Sequence, residues 1–320
     1  MSDFPRLTLS ECIEALLGIQ KPLVLMHVRP DGDTVGTAGA LLEIFRELGK
    51  EPYYASADEI PERLAFLLDG FERAADFSGL TPVAVDVPSP MQLGSLYGAL
   101  SPVLTIDHHE VSTPFSPNYT LPSASSAGEV LYGVARELER LGKIKITKRI
   151  AERIFGAIAS DTGGFLYANT TEKTFSVCRE LVLVGIDHAD ISRRLFFSKT
   201  KETILAEGFV GQNLKTGGGG KIAYALISKA DRELLGLDFS DFETAIDIVR
   251  SLLGAEISFV VKETDEGLFK ASLRSTGANV AKVASLHSGG GHIRAAGCTV
   301  DAKTVDEAGE ILLSALKKLL

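Results

Sequence analysis

The sequence predicts an α/β fold with two domains. The larger N-terminal domain is expected to have a mostly parallel sheet of about five strands flanked by helices, and a helical connector leads to a smaller C-terminal α/β domain with a mixed sheet. Three observations support this. Apolar runs with charged ends alternate with helix-like segments, a helical segment follows, and short alternating runs begin after the glycines at 217–220. These glycines lack a following Lys-Ser/Thr pair, which favours a hairpin turn over a phosphate loop.

The predicted domains cover 1–188 and 213–320, with the connector over 189–212 and a cleft between the domains. The 320 residues exceed one average domain. In the C-terminal part, strands are expected over 221–228, 257–263 and 268–275.

Buried parallel strands are predicted where short apolar runs stop at a polar side chain. The runs at 22–26, 83–85 and 104–106 are followed by His27, Asp86 and Asp107. Open α/β sheets bind their ligands at the carboxyl ends of strands. A pocket this rich in carboxylates stays folded when cations neutralise it, so the sequence predicts a metal site at this edge.

The segment at 27–33, HVRPDGD, is predicted to be a loop. Its proline and glycine allow a sharp turn that points His27, Asp31 and Asp33 toward neighbouring cations, which a helix is not expected to do. A helix is then expected over 36–48, with a nearby threonine as its N-cap.

A fourth candidate ligand is Asp161, which ends an apolar segment just before a glycine pair, as at a helix C-terminus. Each motif alone has a structural alternative: Asp86 could cap a turn, Asp161 could cap a helix, and a lone Asp-His-His tripeptide could be a solvated turn. Their joint occurrence, each after an apolar segment, favours metal binding. Ser125 and Ser126, just before a helix expected over 128–141, are interpreted as caps only.

The composition narrows the class of protein. Oxygen and nitrogen ligands without thiolate favour Mn²⁺, Mg²⁺ or Fe/Co-type ions over structural zinc. Cys12, Cys178 and Cys298 lie far apart, which suits a reducing cytoplasm. A run of 18 apolar residues and a basic-then-apolar signal are both missing, so we expect a cytoplasmic protein without a membrane span.

The net charge also bears on the partners. At −9 it argues against electrostatic tracking along long nucleic acid, which depends on many Lys and Arg side chains. Short nucleotides need only a local basic spot.

In this order and spacing, the motifs resemble the DHH phosphoesterase family, in the branch that carries a C-terminal DHH-associated domain and includes stand-alone bacterial oligoribonucleases. The resemblance covers nearly the whole chain. The segment at 27–33 resembles the first motif, Asp86 the second, the DHH tripeptide at 107–109 the third, Asp161 the fourth, and SGGGH at 288–292 the substrate motif. Relatives often carry Arg or another polar residue where Gly164 stands.

The resemblance implies two divalent cations, Mn²⁺ first, with Mg²⁺ or Co²⁺ as alternatives. The implied nucleophile is a hydroxide between them, because coordination lowers the pKa of water from 15.7 toward ~7. His109 is implied to contact the scissile phosphate or protonate the leaving oxygen, and Asp107 to orient a ligand or a turn. Both cations share Asp86 in the implied ligand sets, which are His27, Asp31 and Asp86 for one ion and Asp33, Asp86, His108 and Asp161 for the other.

The resemblance also implies a substrate site in the C-terminal domain, facing the metals across the cleft. The backbone N–H groups of Gly289, Gly290 and Gly291, with His292, suit an anionic phosphate. Arg274 is implied to clamp two phosphate oxygens, with an ordinary edge-strand charge as the alternative.

We therefore expect hydrolysis of short oligoribonucleotides, from dimers to pentamers, to mononucleotides, with 3′-phosphoadenosine 5′-phosphate (pAp) as a second substrate. The close alternative is a phosphodiesterase for cyclic or linear dinucleotides. An inorganic pyrophosphatase is disfavoured by the glycine-histidine motif, and a non-catalytic nucleotide-binding module by the complete ligand set. A homodimer is left open.

Overall fold

The computed structural model of the protein describes residues 4–320, which form two compact units that divide between Ser198 and Lys199. A parallel five-stranded sheet in the first unit and a mixed six-stranded sheet in the second confirm the predicted fold class. The domain limits at 188 and 213 stay a prediction. Over the described residues, every helix is too short or too polar to cross a membrane.

Over residues 4–198, the first unit contains five strands and six α-helices, with 3₁₀ segments at Glu62–Leu68 and Pro90–Leu96. In chain order these elements are α1 (Leu9–Gly18), β1 (Pro22–Leu25), α2 (Gly32–Glu47), β2 (Tyr53–Ala55), β3 (Thr81–Val85), β4 (Leu104–Asp107), β5 (Asn118–Thr120), α3 (Ala127–Arg140), α4 (Lys148–Asp161), α5 (Glu172–Leu183) and α6 (His188–Phe196).

The strand order of the first sheet is β2-β1-β3-β4-β5, with all neighbours parallel. From β1 the chain goes to β2 on one side and later to β3 on the other, so β1 and β3 flank the topological switch point. Open α/β sheets bind ligands outside the carboxyl ends of strands at this point. His27 lies just beyond β1 and Asp86 directly follows β3, so both stand where a ligand is expected.

Both faces of this sheet are buried. Val24 and Val83 pack with the helices on one face, and Leu23 and Ala84 belong to a smaller apolar cluster on the other. Strands covered on both faces read as continuous apolar runs, which explains why these strands could be recognised in the sequence.

The expectation of a loop through residue 33 and a helix start at 36 is wrong. Helix α2 begins at Gly32, and Asp31 is its N-cap: the carboxylate oxygen Oδ1 accepts hydrogen bonds from the N–H groups of Asp33 (2.9 Å) and Thr34 (3.1 Å). A carboxylate at this position satisfies N–H groups that a helix leaves without partners. Asp33 therefore lies in the first helical turn.

The second unit has six strands and five α-helices, with 3₁₀ segments at Gly218–Gly220, Phe239–Phe242 and Ser285–His287. Its elements are α7 (Lys201–Gln212), β6 (Lys215–Gly217), β7 (Ile222–Ile227), α8 (Lys229–Leu235), α9 (Ala245–Arg250), β8 (Ile257–Glu263), β9 (Phe269–Ser275), α10 (Ala281–Ala284), β10 (Gly290–His292), β11 (Ala295–Val300) and α11 (Val305–Lys317).

The second sheet has the order β10-β11-β9-β8-β7-β6, in which only β7 and β8 pair in parallel. The three predicted strands match β7, β8 and β9 to within one residue. The glycines at 217–220 join β6 and β7 as an antiparallel hairpin, which confirms that prediction. The segment at 288–292 is partly an edge strand, since β10 pairs with β11.

The segment at 189–212 contains two helices that pack into different cores. Ile191 and Leu195 of α6 belong to the main core of the first unit, whereas Ala206 and Val210 of α7 belong to a core of the second.

Candidate metal centre

Two clusters of potential metal ligands lie at the carboxyl edge of the parallel sheet. The outer cluster contains His27, Asp31 and Asp86, and the inner cluster contains Asp33, His108 and Asp161. Within each cluster, one ligand atom from every residue lies within 4.8 Å of the others. The structure thus brings together all six side chains predicted to bind metal, although their assignment as ligands stays a prediction.

In the outer cluster, His27 has a defined orientation. Its Nδ1 lies 2.8 Å from the carbonyl oxygen of Val28, so Nδ1 carries the proton that it donates there. Its Nε2 lies 3.7 Å from Asp31 Oδ1 and 3.5 Å from Asp86 Oδ2. Burial would lower the pKa of His27, but the bonds to and charges of Asp31 and Asp86 raise it to about 11. A cation bound between the two carboxylates would therefore displace the proton of Nε2.

In the inner cluster, the imidazole of His108 lies between carboxylates. Its Nε2 is 3.7 Å from Asp33 Oδ2 and 3.8 Å from Asp161 Oδ2. Asp161 is the last residue of α4, which confirms the predicted helix C-terminus. Three elements therefore supply the inner cluster: the first turn of α2, the end of β4 and the end of α4.

Asp86 connects the two clusters. One of its oxygens, Oδ2, lies near His27, and the other, Oδ1, lies 3.7 Å from Nε2 of His108. The residue is buried, has a positive φ of 57° and fixes its backbone by donating its N–H to the carbonyl oxygen of Ile106 (2.9 Å). Such a conformation costs a non-glycine residue about 1–3 kcal/mol, which indicates that the side chain must point in this direction.

The carboxylates suit divalent cations. Asp86 Oδ1 is buried and has no hydrogen-bond partner among the described residues, which is costly for a charged oxygen unless a cation contacts it. Burial and the charges of Asp86 and Asp161 raise the pKa of Asp33 well above its usual range. Burial likewise raises the pKa of Asp86, and that of Asp161 to about 7. Cations would remove this repulsion, and the oxygen-nitrogen donor set fits Mn²⁺ or Mg²⁺.

Asp107 and His109 form a pair beside the clusters. Asp107 Oδ1 accepts hydrogen bonds from Nδ1 of His109 (2.8 Å) and from the backbone N–H groups of His108 (2.8 Å) and His109 (3.3 Å). Burial alone would lower the pKa of His109, but the hydrogen bond to Asp107 and nearby carboxylates raise it. His109 could also join Asp86 and His108 around a cation, although its Nδ1 is already bonded to Asp107.

The predicted substrate residues lie in the second unit. Arg274 is half-buried on β9, and its Nη1 donates to the carbonyl oxygen of Leu273 (2.9 Å). His292 ends the edge strand β10 and is exposed. A Cβ at Gly289 would clash with Gly297, and one at Gly291 would lie 2.6 Å from the carbonyl oxygen of Ala295. Backbone packing therefore requires two of the three glycines.

Gly290 differs from its neighbours, since a Cβ there would meet no atom within 4 Å. The fold therefore does not require glycine at this position.

Gly164, the position that departs from the family pattern, has a φ of 68°. Side chains other than glycine rarely adopt this backbone conformation, so the local structure accounts for the glycine.

Sequence reasoning missed the residues that hold the inner cluster in place. Asp33 accepts hydrogen bonds from Thr37 Oγ1 (3.1 Å) and from the N–H groups of Ala127 (2.7 Å) and Gly128 (3.1 Å). Asn169 Nδ2 donates to Asp161 Oδ2 (3.3 Å). The threonine one helical turn after Asp33 was a usable signal, but the contacts with 127–128 and Asn169 span long sequence separations.

Clustered Asp and His side chains at the switch point of a parallel sheet form an arrangement suited to binding divalent cations. A family model described as the N-terminal domain of the DHH family matches residues 21–158, and the DHHA1 domain model matches residues 219–318. The bifunctional oligoribonuclease and PAP phosphatase NrnA of Thermus thermophilus is 30% identical and aligns with 96% of this chain and 93% of its own. The chain therefore belongs to the DHH family.

Other comparisons agree with this assignment. The protein of the same name from Bacillus subtilis is 29% identical over 89% of this chain and 90% of its own. The crystal structure of an exopolyphosphatase-related protein from Bacteroides fragilis has the same fold, with a TM-score of 0.88, 22% identity, and coverage of 97% of this chain and 96% of that one. The cyclic-di-AMP phosphodiesterase PdeA of Listeria monocytogenes is 24% identical, but only 49% of it is aligned. A probable manganese-dependent inorganic pyrophosphatase of Bacillus pumilus is 26% identical over 82% of this chain and 88% of its own.

Proposed function

We propose that this protein hydrolyses short oligoribonucleotides to mononucleotides and also removes a phosphate from pAp. The observation that carries the proposal is the pair of ligand clusters joined by Asp86 at the switch point of the parallel sheet. The relatives named as oligoribonuclease and PAP phosphatase, which align over most of the chain, support this substrate class.

In this proposal each cluster would hold one divalent cation, and the two oxygens of Asp86 would be available to both. When bound, the cations supply a low-pKa water as nucleophile and stabilise charge on the phosphate. The chain's own contribution is a rigid set of ligands. Asp31 is fixed by its capping bonds, and Asp33 by donors from α2 and α3.

His109 is proposed to be the proton donor to the leaving oxygen. Its bond to Asp107 assigns the proton of Nδ1, which leaves Nε2 as the atom that exchanges a proton with substrate. Asp107 orients this ring, and because its pKa is lowered by the bonds from His109 and the backbone, it remains a carboxylate.

Arg274, the glycines at 289–291 and His292 are proposed to bind the phosphate groups of the substrate. Their location within the match to the DHHA1 domain supports this role. The guanidinium of Arg274 can donate to two phosphate oxygens, and the exposed edge of β10 allows close approach to the backbone at Gly290.

Mn²⁺ is the proposed native cation, since the ligand set lacks thiolates and one relative is named as manganese-dependent. The cytoplasm is the proposed location, and a homodimer stays a prediction.

The direct test is chromatographic product analysis. Labelled diribonucleotide, pAp, cyclic di-AMP and pyrophosphate are incubated separately with the protein in Mn²⁺, in Mg²⁺ and in chelator. The proposal predicts that the protein forms mononucleotides from the dinucleotide and AMP from pAp when a divalent cation is present, and neither product in chelator. Release of phosphate from pyrophosphate alone would contradict it.

The second candidate is a cyclic dinucleotide phosphodiesterase, favoured by the match to PdeA. Cleavage of cyclic di-AMP faster than of the linear dinucleotide would select it. The match of residues 219–318 to the DHHA1 domain model disfavours a pyrophosphatase, since we expect the glycine-histidine motif in this domain to serve nucleotide substrates.

A further inference from the structure

The backbone between Ala124 and Gly128, here called the 124–128 segment, contacts two residues of the inner cluster directly and is linked to the third through Asn169. The carbonyl oxygen of Ala124 lies 3.4 Å from Nδ1 of His108. The N–H groups of Ala127 and Gly128 donate to the two carboxylate oxygens of Asp33. One short stretch of backbone therefore helps to orient two of the three side chains directly.

The third contact runs through Asn169. Its Nδ2 donates to the carbonyl oxygen of Ser125 (2.9 Å) and also to the carbonyl oxygen (3.1 Å) and Oδ2 (3.3 Å) of Asp161. The position of Ser125 thus affects the position of Asp161.

Glu129 holds this segment in place. Its Oε2 accepts hydrogen bonds from both the N–H (3.2 Å) and the hydroxyl (2.7 Å) of Ser125, and from the hydroxyl of Thr174 on α5 (2.9 Å). The side chain has 0% exposure, and the cation paired with it, Lys173, lies 3.7 Å from Oε1. Burying a carboxylate costs free energy that hydrogen bonds must offset. The bonds from Ser125 and Thr174 are therefore the reason that a carboxylate, and not an apolar side chain, suits this position.

Helix capping does not account for Glu129. The N-cap of α3 is Ser126, whose hydroxyl accepts from the N–H of Glu129 (3.0 Å). In a capping box the Glu side chain would return to the N–H of the N-cap residue, but here it reaches Ser125, one residue earlier. The bonds of Glu129 fix the segment in front of the helix.

We propose that Glu129 is a positioning residue for the inner cation: by fixing the 124–128 segment, it sets the geometry of Asp33, His108 and Asp161. The proposal rests on the proposed two-cation centre. Outer supporting bonds of this kind commonly change metal affinity by about 10–100-fold. The hydrogen bonds that orient His27 and Asp31 do not involve this segment, so the cation affinity of the outer cluster should not change.

The test is a Mn²⁺ titration without substrate, in which the EPR signal of free Mn²⁺ counts bound ions. Wild type is expected to bind two. Glu129→Leu, which keeps the volume but removes the acceptor, is expected to bind one ion normally and the other about tenfold or more weakly. Glu129→Gln keeps an acceptor for Ser125 and should be close to wild type. Glu137→Leu, on the same helix and paired with Arg140, is the matched control and should change neither affinity.

The outcomes separate this proposal from the proposed function. If wild type binds two ions and Glu129→Leu leaves both affinities unchanged, or weakens both equally, the role of Glu129 is overturned and the proposed function stands. Fewer than two ions in wild type overturn both proposals. If Glu129→Leu does not unfold cooperatively by circular dichroism, Ser125→Ala decides, since it removes only the hydroxyl donor: a selective loss at one ion supports the proposal and no loss overturns it.

Discussion

Asp31 and Asp33 are two residues apart in one motif, yet they occupy opposite environments. The Asp31 side chain is 57% exposed, caps a helix and faces His27, and the bonds and charge of His27 lower its pKa against the effect of burial. The Asp33 side chain is 2% exposed and lies among carboxylates, and its pKa is raised. The difference teaches that His27 offsets the charge of Asp31 without a metal, whereas Asp33 lies among carboxylates whose repulsion a cation would relieve.

Asp86 belongs to both clusters, so its loss should have the largest effect. Asp86→Asn is expected to reduce hydrolysis of diribonucleotide by more than the ~100-fold that supporting residues reach, because both cations lose a ligand. Steady-state kinetics in Mn²⁺ measure this. Near-normal turnover by a variant that melts like wild type would show that the clusters are not joined by this residue.

Substitution within the motif separates the clusters. Asp33→Asn removes charge repulsion, so in chelator we expect this variant to be as stable as the wild type or more stable. We also expect Mn²⁺ to stabilise the variant much less than it stabilises the wild type. That stabilisation should approach 2.7 kcal/mol for wild type when Mn²⁺ is about 100 times its Kd.

Asp31→Asn is the matched control. It is expected to lower the stability of the metal-free protein, since it keeps a capping oxygen but removes the negative charge that faces His27 and the N-terminus of α2. Thermal unfolding with chelator and with Mn²⁺ measures both variants. If the two substitutions shift stability in the same direction without metal, the contrast between the clusters is wrong.

The charges of the inner cluster should make the stability of the metal-free protein depend on pH. Asp161 has a pKa of about 7 in the folded metal-free protein, above the ordinary value near 3.8 that it regains on unfolding. The folded state binds more protons between these values, so this residue's contribution to stability is full below about pH 4 and is lost as the pH rises toward 7.

The difference in free energy of unfolding between wild type and Asp161→Asn, both in chelator, should therefore fall from pH 4 to pH 7. Each pKa unit corresponds to at most ~1.4 kcal/mol, and solvent at this partly exposed side chain reduces the effect. Denaturant unfolding of both proteins from pH 4 to pH 7 measures this difference. A difference that rises with pH would contradict the proposed repulsion between Asp161 and the neighbouring carboxylates.

The smallest expected effect lies outside both clusters. Gly290→Ala fills open space and should leave stability and Mn²⁺ affinity unchanged, but it should raise KM for diribonucleotide severalfold, because the methyl group hinders approach of a phosphate to the backbone. Gly291→Ala, at a φ of 136° and close to Ala295, should instead destabilise the protein by about 1–3 kcal/mol. Equal KM for Gly290→Ala and wild type would exclude this contact.

Much of the first unit could be predicted because its strands are buried on both faces. The apolar runs before His27 and Asp86 are therefore continuous, and their carboxyl ends place polar residues at one edge. The start of α2 was missed because proline and glycine suggested a loop, whereas the carboxylate of Asp31 caps the helix.

The support of the inner cluster could not be predicted from local pattern. Its bonds join Asp33 to residues 94 and 95 positions away, and Thr174 to a glutamate 45 positions away. Such contacts depend on how α2, α3 and α5 pack. The glycines at 289–291 were interpreted together, yet packing separates them into two that the fold requires and one that it does not.

The most direct test of the account is a crystal structure of the protein with Mn²⁺, analysed by anomalous diffraction. The account predicts two manganese peaks about 3.5–4 Å apart, one beside His27 and Asp31, one beside Asp33, His108 and Asp161, with the carboxylate of Asp86 bound to both. A single peak, or two peaks of which only one contacts Asp86, would contradict it.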